Sequence, residues 1–246
     1  MLGPVFPILT YHYLGEPDAS VPEAHRGLYV PPAEFARQLA DLTAWGFRTL
    51  SAEEAIAAVE GGEAPGRAVW LTFDDGHQDN FSPGLDLLRQ RGHRATFFVV
   101  AEPSLTGAPG YVDVGMLREM VQAGMSIGSH SLTHPRLARL SEGDLRREVV
   151  DSRARLEDAL QVPVTTFCYP YGNWNPRVVE VVAEAGYRLA VSTIRGNRNE
   201  PGERFLLKRA MIQPGRVGIR FRYTLSPVYH WLHQFKNRNK WKQTNP

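Results

Sequence analysis

From one end almost to the other, the chain alternates between short β-rich apolar runs and helical patterns that stop at glycine. Val5 to Tyr11 reads as a strand, and Pro32 to Trp45 carries apolar residues at helical spacing and stops at Gly46. Ser51 with Glu54 three residues later forms a capping box for a helix through Val59, closed by Gly61-Gly62. A strand at 68–73, a helix from Pro83 to Arg91 ended by Gly92, and a strand from Ala95 to Val100 follow. The helix from Met116 to Ala123 ends at Gly124 before a short strand, Met125 to Gly128, and Ser141 with Asp144 caps a long charged helix reaching Leu160. A strand from Val164 to Tyr169, a helix from Pro176 to Ala185 ended by Gly186, and a strand from Arg188 to Ser192 complete the regular part. Short strands alternating with helices of about ten residues are the signature of parallel βαβ units. Roughly seven such units favour a closed or nearly closed barrel over an open sheet, and 246 residues suit one α/β barrel. No internal repeat or low-complexity linker divides the chain, so the expectation is one domain over residues 1–215 with an extension at 216–246.

The chemistry of such barrels collects at the carboxyl ends of the strands. At one such end, in "LTFDDG", an apolar strand runs straight into Asp74, Asp75 and Gly76. Carboxylates there are costly to desolvate unless something pairs with them. A second polar knot, "GSHSLTHP", supplies His130 and His134 just past another short strand. Two histidines four residues apart can face one ion. A single added carboxylate makes a two-histidine, one-aspartate set with a position left open, the arrangement of a catalytic rather than a structural metal site. Taken singly, an HxxxH is more often a pair of surface histidines and an Asp-Asp-Gly more often a turn. Their joint occurrence at strand ends of one βαβ series is far more specific.

"TFDDG" (72–76), "HSLTH" (130–134) and "FCYPYG" (167–172) resemble, in order, three motifs of the polysaccharide deacetylase family, the NodB-homology domain of carbohydrate esterase family 4. The resemblance covers roughly residues 5–215. It implies a distorted, partly open (β/α)7 barrel of α/β class. It also implies removal of an N-acetyl group from a sugar and a divalent metal, zinc first, with cobalt, nickel or manganese as alternatives. Carried over by position, Asp74 matches the general base, Asp75, His130 and His134 the metal ligands, and Tyr171 the donor of a backbone N–H to the oxyanion.

The match departs from the family in two places. Cys168 stands where the family has an arginine that orients the base, and Arg209, in "LLKRAMI" of a late strand, is the residue that could refill the space. The late histidine that serves as general acid also has no counterpart after residue 193, apart from His230 and His233 in the tail. The first strand, however, ends in "ILTYH", and relatives with a YPYG-type third motif resemble circular permutants that begin with this strand. His12 is therefore the candidate acid, against the plainer reading of a histidine satisfied at a strand end. His77, Asn173 and Trp174 are candidate sugar contacts, although Asn175-Pro176 can be read simply as a helix cap. Trp45 and Trp70 read as core.

With 43% hydrophobic and 22% charged residues the chain can build a sizeable core, and its single cysteine excludes an internal disulfide. No run approaches the ~18 apolar residues of a membrane span, and the start lacks a basic segment leading into an apolar one. The expected location is therefore cytoplasmic, which favours a glycoconjugate precursor, including a lipid-linked one, over an extracellular polymer. After Glu203 the sequence holds ten basic residues and no acidic one. Residues 226–241 place Val228, Trp231, Leu232 and Phe235 on one helical stripe. The stripe fits a helix packed on the barrel, or a peripheral membrane contact made with basic residues. No fold motif supports nucleic-acid binding, and the pattern is silent on oligomeric state. The expected activity is metal-dependent de-N-acetylation of a GlcNAc-type glycan or precursor; the other reading is a non-catalytic sugar- or metal-binding module of the same fold.

Overall fold

The computed structural model describes residues 6–61, 66–199 and 201–233. Eight strands lie within them: β1 (Ile8–Tyr11), β2 (Arg48–Thr49), β3 (Ala68–Phe73), β4 (Thr96–Val99), β5 (Ser126–Ser129), β6 (Thr166–Cys168), β7 (Leu189–Arg195) and β8 (Leu207–Met211). Seven of them form a ring of parallel strands in the order β1-β3-β4-β5-β6-β7-β8, and β8 returns to β1. The two-residue β2 pairs with Ala68 and Val69 of β3, and β1 takes the rest of that strand in the register Ile8↔Trp70 to Tyr11↔Phe73. The ring is uneven. A single pair, Ser129↔Phe167, joins β5 to β6, and a register shift interrupts β7 and β8 between Val191 and Arg195. The expected seven-stranded α/β barrel is thus present, with β1 closing the ring.

The helices include α1 (Glu23–Arg26), α2 (Pro32–Ala44), α3 (Ala52–Gly61), α4 (Asp86–Gln90), α5 (Ala101–Thr106), α6 (Val114–Gln122), α7 (Glu142–Arg146), α8 (Ser152–Leu160), α9 (Pro176–Glu184) and α10 (Ile219–Leu225). Their starts follow capping chemistry. Side chains of Asp113, Ser141 and Asn175 accept the N–H groups of Met116, Asp144 and Val178, so the Asn175-Pro176 cap is real. Two expected helices are altered. The one expected from Pro83 becomes α-helical only at Asp86, after a wider turn over residues 81–85, and a wide turn at Arg147–Asp151 joins α7 to α8. Val5 and Gly62 lie outside the described residues.

Successive strand residues face opposite sides of the sheet, and the core divides accordingly. Leu9, Leu71, Phe97 and Phe167 point outward to Phe35, Leu117, Leu156 and Val181 on the helices. Ile8, Trp70, Phe98, Cys168, Val191 and Leu207 fill the interior, where Ala55, Ile56 and Val59 of α3 join them. The row Trp70, Thr72, Asp74 therefore continues along the inner face of β3, and Leu207, Arg209 along that of β8. The alternation that buries Trp70 also carries Asp74 onto the barrel axis. Among the described residues no helix is long and apolar enough to cross a membrane.

Candidate active site

At the carboxyl ends of the strands the backbone bends sharply. Of the five described non-glycine residues with positive φ, four are Asp75 (73°), Ser131 (66°), His134 (65°) and Tyr171 (57°); the fifth, Gln161, ends α8. Such backbone is uphill for residues with a Cβ and concentrates at functional sites. At Asp75 it has a direct use. Extended backbone would send Asp74 and Asp75 to opposite faces, whereas the turn lets both reach one cavity of about 490 Å³, shared with His12, His130, His134 and Tyr171.

Asp75 Oδ1 lies 3.3 Å from His130 Nε2 and 3.3 Å from His134 Nε2, and the two nitrogens are 3.2 Å apart. Atoms bound at about 2.0–2.1 Å to a tetrahedral zinc ion lie about 3.3 Å from one another, so this triangle fits a metal ion of that kind. His130 Nδ1 is 2.7 Å from the Cys168 carbonyl oxygen; an N–H donated there leaves the Nε2 lone pair facing the triangle. Burial pushes the Asp75 carboxyl up, but His130, His134 and His77 outweigh it and hold the group far below the usual carboxylate range.

The histidine loop has an anchor that sequence reading missed. Glu148, buried in the turn between α7 and α8, accepts the N–H groups of Leu132 and Thr133 at 2.9 and 2.8 Å and the Thr133 hydroxyl at 2.6 Å. The available signal was a carboxylate inside an otherwise amphipathic helix, at a position facing the core.

Asp74 faces a different partner. Arg209, 2% exposed, donates to both of its oxygens at 2.7 Å. The same guanidinium reaches the Ser192 carbonyl at 3.0 Å, the hydroxyls of Thr10 and Thr72 at 3.0 and 3.1 Å, and Cys168 Sγ at 3.1 Å. It therefore fills the space beside Cys168 where the family pattern has its arginine. Burial alone would raise the Asp74 pKa, and the arginine reverses the sign. His12 Nε2 stands 3.9 Å from Asp74 Oδ2. Burial lowers the His12 pKa, with Asp74 and Asp75 opposing the shift.

The other expected contacts fall elsewhere. His77 does not line the cavity; its Nε2 is 3.3 Å from Asp75 Oδ2, and its ring stacks on Tyr13 at 3.8 Å. The wall expected from Asn173 and Trp174 is also missing from the cavity. Asn173 is buried and its Oδ1 accepts the Ala138 N–H at 2.9 Å, because the turn after Tyr171 aims it at the neighbouring loop; Trp174 packs on the core. In their place the cavity has the half-exposed ring of Tyr171 and the segment after β1, with Tyr13 and Tyr29 stacked at 4.2 Å. Nothing periodic in residues 13–29 announced this role.

A family model described as polysaccharide deacetylase matches residues 61–190. A Bacillus subtilis protein named as a polysaccharide deacetylase, YxkH, is 28% identical over 216 residues, covering 87% of this chain and 74% of that one. The peptidoglycan-N-acetylglucosamine deacetylase PgdA of Listeria monocytogenes is 31% identical over 128 residues, 52% of this chain and 26% of that protein. Among solved structures, the Streptococcus pyogenes deacetylase PplD in complex with acetate superposes with a TM-score of 0.87 at 29% identity, covering 92% of this chain and all of that one.

Proposed function

The chain belongs to the polysaccharide deacetylase family, and from that premise we propose that it is a metal-dependent hydrolase removing the N-acetyl group of a GlcNAc-type glycan or glycoconjugate. The observation that carries this reading is the triangle of Asp75, His130 and His134 beside a second carboxylate, Asp74, held by its own arginine. A sugar- or metal-binding module would have no use for that second carboxylate.

Asp75, His130 and His134 would hold the ion, and their nitrogen and oxygen donors suit zinc first, with cobalt, nickel or manganese next. When bound, the ion acts as a Lewis acid and brings the pKa of water towards ~7. Asp74 takes a proton from the water that attacks the acetyl carbon, and Arg209 keeps its carboxylate ionised and aimed. The backbone N–H of Tyr171 donates to the acyl oxygen as negative charge develops. His12 protonates the sugar nitrogen as the C–N bond breaks, giving acetate and the free amine. His77 steadies Asp75 through its second oxygen. The faces of Tyr171 and of the Tyr13–Tyr29 pair suit the apolar side of a sugar ring.

Acetate release from a panel of N-acetylated oligosaccharides by metal-loaded protein is the direct test. Asp74→Asn is expected to abolish turnover while bound metal stays stoichiometric, and His12→Gln to lower kcat by about 10²–10⁴. Turnover retained in Asp74→Asn would overturn the base assignment, and an unchanged kcat in His12→Gln would do the same for the acid. Sugar binding without acetate release from any substrate would favour a binding module.

A further inference from the structure

Of the six large apolar side chains exposed among the described residues, four lie in one short segment: Ile219 (79%), Val228 (54%), Trp231 (60%) and Leu232 (43%). Residues 227–233 are helical, and Tyr229 and His230 are the buried ones there. The stripe expected to pack on the barrel therefore turns outward at Val228, Trp231 and Leu232; Phe235, its fourth member, lies outside the described residues.

The position of this face in the fold is fixed. The chain leading to α10 runs along α2 towards its carboxyl end, with Glu34 accepting the Gly215 N–H, Gln38 donating to the Arg216 carbonyl and Asp41 accepting the Gly218 N–H. At that end Phe221 meets Trp45, which stands just before β2. Trp231 lines a cavity of about 670 Å³ together with Pro7, Arg67 and Ala68, which mark the starts of β1 and β3. Asp74 stands at the other end of β3, about 20 Å away at the rise of a strand. The apolar face and the catalytic cavity thus occupy opposite ends of the barrel.

Among the described residues the exposed charges beside the face are mainly cationic, the nearby carboxylate being Asp41, which accepts the Gly218 N–H. Arg220, Arg222 and Arg67 are exposed there. The sequence after Glu203 contains no acidic residue. A second copy docking through the same face would bring Arg67, Arg220 and Arg222 of both copies together, with Asp41 already engaged by the Gly218 N–H, which is costly. Exposed Trp, Leu, Ile and Val set among arginines match the boundary of an anionic bilayer instead, where apolar side chains enter the headgroup region and each cation contributes about 1 kcal/mol.

We propose that this end of the barrel is a docking surface for anionic phospholipid, seated on Ile219, Val228, Trp231 and Leu232 with Arg220 and Arg222 at the headgroups. Docked this way, the mouth of the catalytic cavity faces away from the bilayer. Given the deacetylase reading, on which this part rests, the substrate is a glycan reaching into the aqueous phase, and a sugar on a lipid of the same leaflet is out of reach.

Flotation of the full chain with vesicles of phosphatidylcholine, with and without phosphatidylglycerol, tests the docking without any turnover. The expected result is recovery with the phosphatidylglycerol vesicles only, falling as salt rises. Binding should weaken about tenfold or more both in Val228→Ser/Trp231→Ser and in Arg220→Glu/Arg222→Glu, with acetate release in solution retained. Absence of binding to anionic vesicles at low salt would overturn the proposal, as would unchanged binding in both variants. Loss in the variants of a dimer seen by sedimentation equilibrium, or of duplex DNA binding, with vesicle recovery unchanged, would assign the face to protein or nucleic acid and overturn it equally.

Discussion

Asp74 and Arg209 carry the sharpest consequence at the scale of single residues. Asp74 is 3% exposed, a position at which burial alone would keep a carboxyl protonated, and the bidentate arginine instead holds its pKa below the ordinary value. A carboxyl depressed on folding stabilises the protein above its unfolded pKa and loses that contribution as pH falls through its folded pKa. The proposed orienting role makes Arg209→Met specific. Burial then goes unopposed, the Asp74 pKa rises above its ordinary value, and the acid limb of kcat/KM moves to higher pH. Stability near neutral pH falls by about 3–5 kcal/mol, the usual cost of removing one partner of a buried pair. That deficit narrows as pH is lowered, since the native pair is lost there too. A pH–rate profile whose acid limb stays in place in Arg209→Met would end the idea that this arginine tunes Asp74.

Among the elements, the loop from His130 to His134 shows how a four-residue spacing becomes a site. The spacing alone is compatible with a helix, yet here the two histidines sit in a loop with positive φ at Ser131 and His134. The Ser131 hydroxyl accepts the His134 N–H at 3.0 Å, and Glu148 gathers the two residues between. Glu148→Ala is expected to weaken metal binding about 10–100-fold, as loss of supporting contacts around metal ligands commonly does. Competition with a chromophoric chelator measures it, and unchanged affinity would show that the loop holds its shape without the glutamate. The capping residues Ser141 and Asn175 were legible in the sequence because a cap is a contact over three residues. Glu148 showed in the sequence only as a core-facing carboxylate; its partners did not, because they are 15 and 16 positions away and nothing in a helical pattern reports which backbone it faces.

For the whole molecule, the barrel brings Asp75, His130 and His134 together in the folded chain, so the proposed metal binding would add directly to its stability. At free metal a hundredfold above Kd the gain is about 2.7 kcal/mol. For a chain of this length that is expected to raise the melting temperature by several degrees, at about 2–4 °C per kcal/mol. Calorimetry with and without a chelator, repeated on His134→Ala, checks the assignment; equal shifts in the parent and the variant would place the ion elsewhere.

The sequence alone determined the barrel class, because strand and helix periodicities and glycine stops are local. It also pointed to Asp74, Asp75, His130 and His134 as candidates, because each pair lies within one strand end or one loop. The matched family segment, residues 61–190, contains all four. His12 and Arg209 lie outside it. Only ring closure brings them to Asp74, with Arg209 meeting it across 135 positions, through β1 pairing with β3 on one side and β8 on the other. The direction of the C-terminal stripe was likewise decided by tertiary structure. Periodicity shows that a helix has an apolar face, but whether that face meets the core or the solvent depends on what the rest of the fold places opposite it.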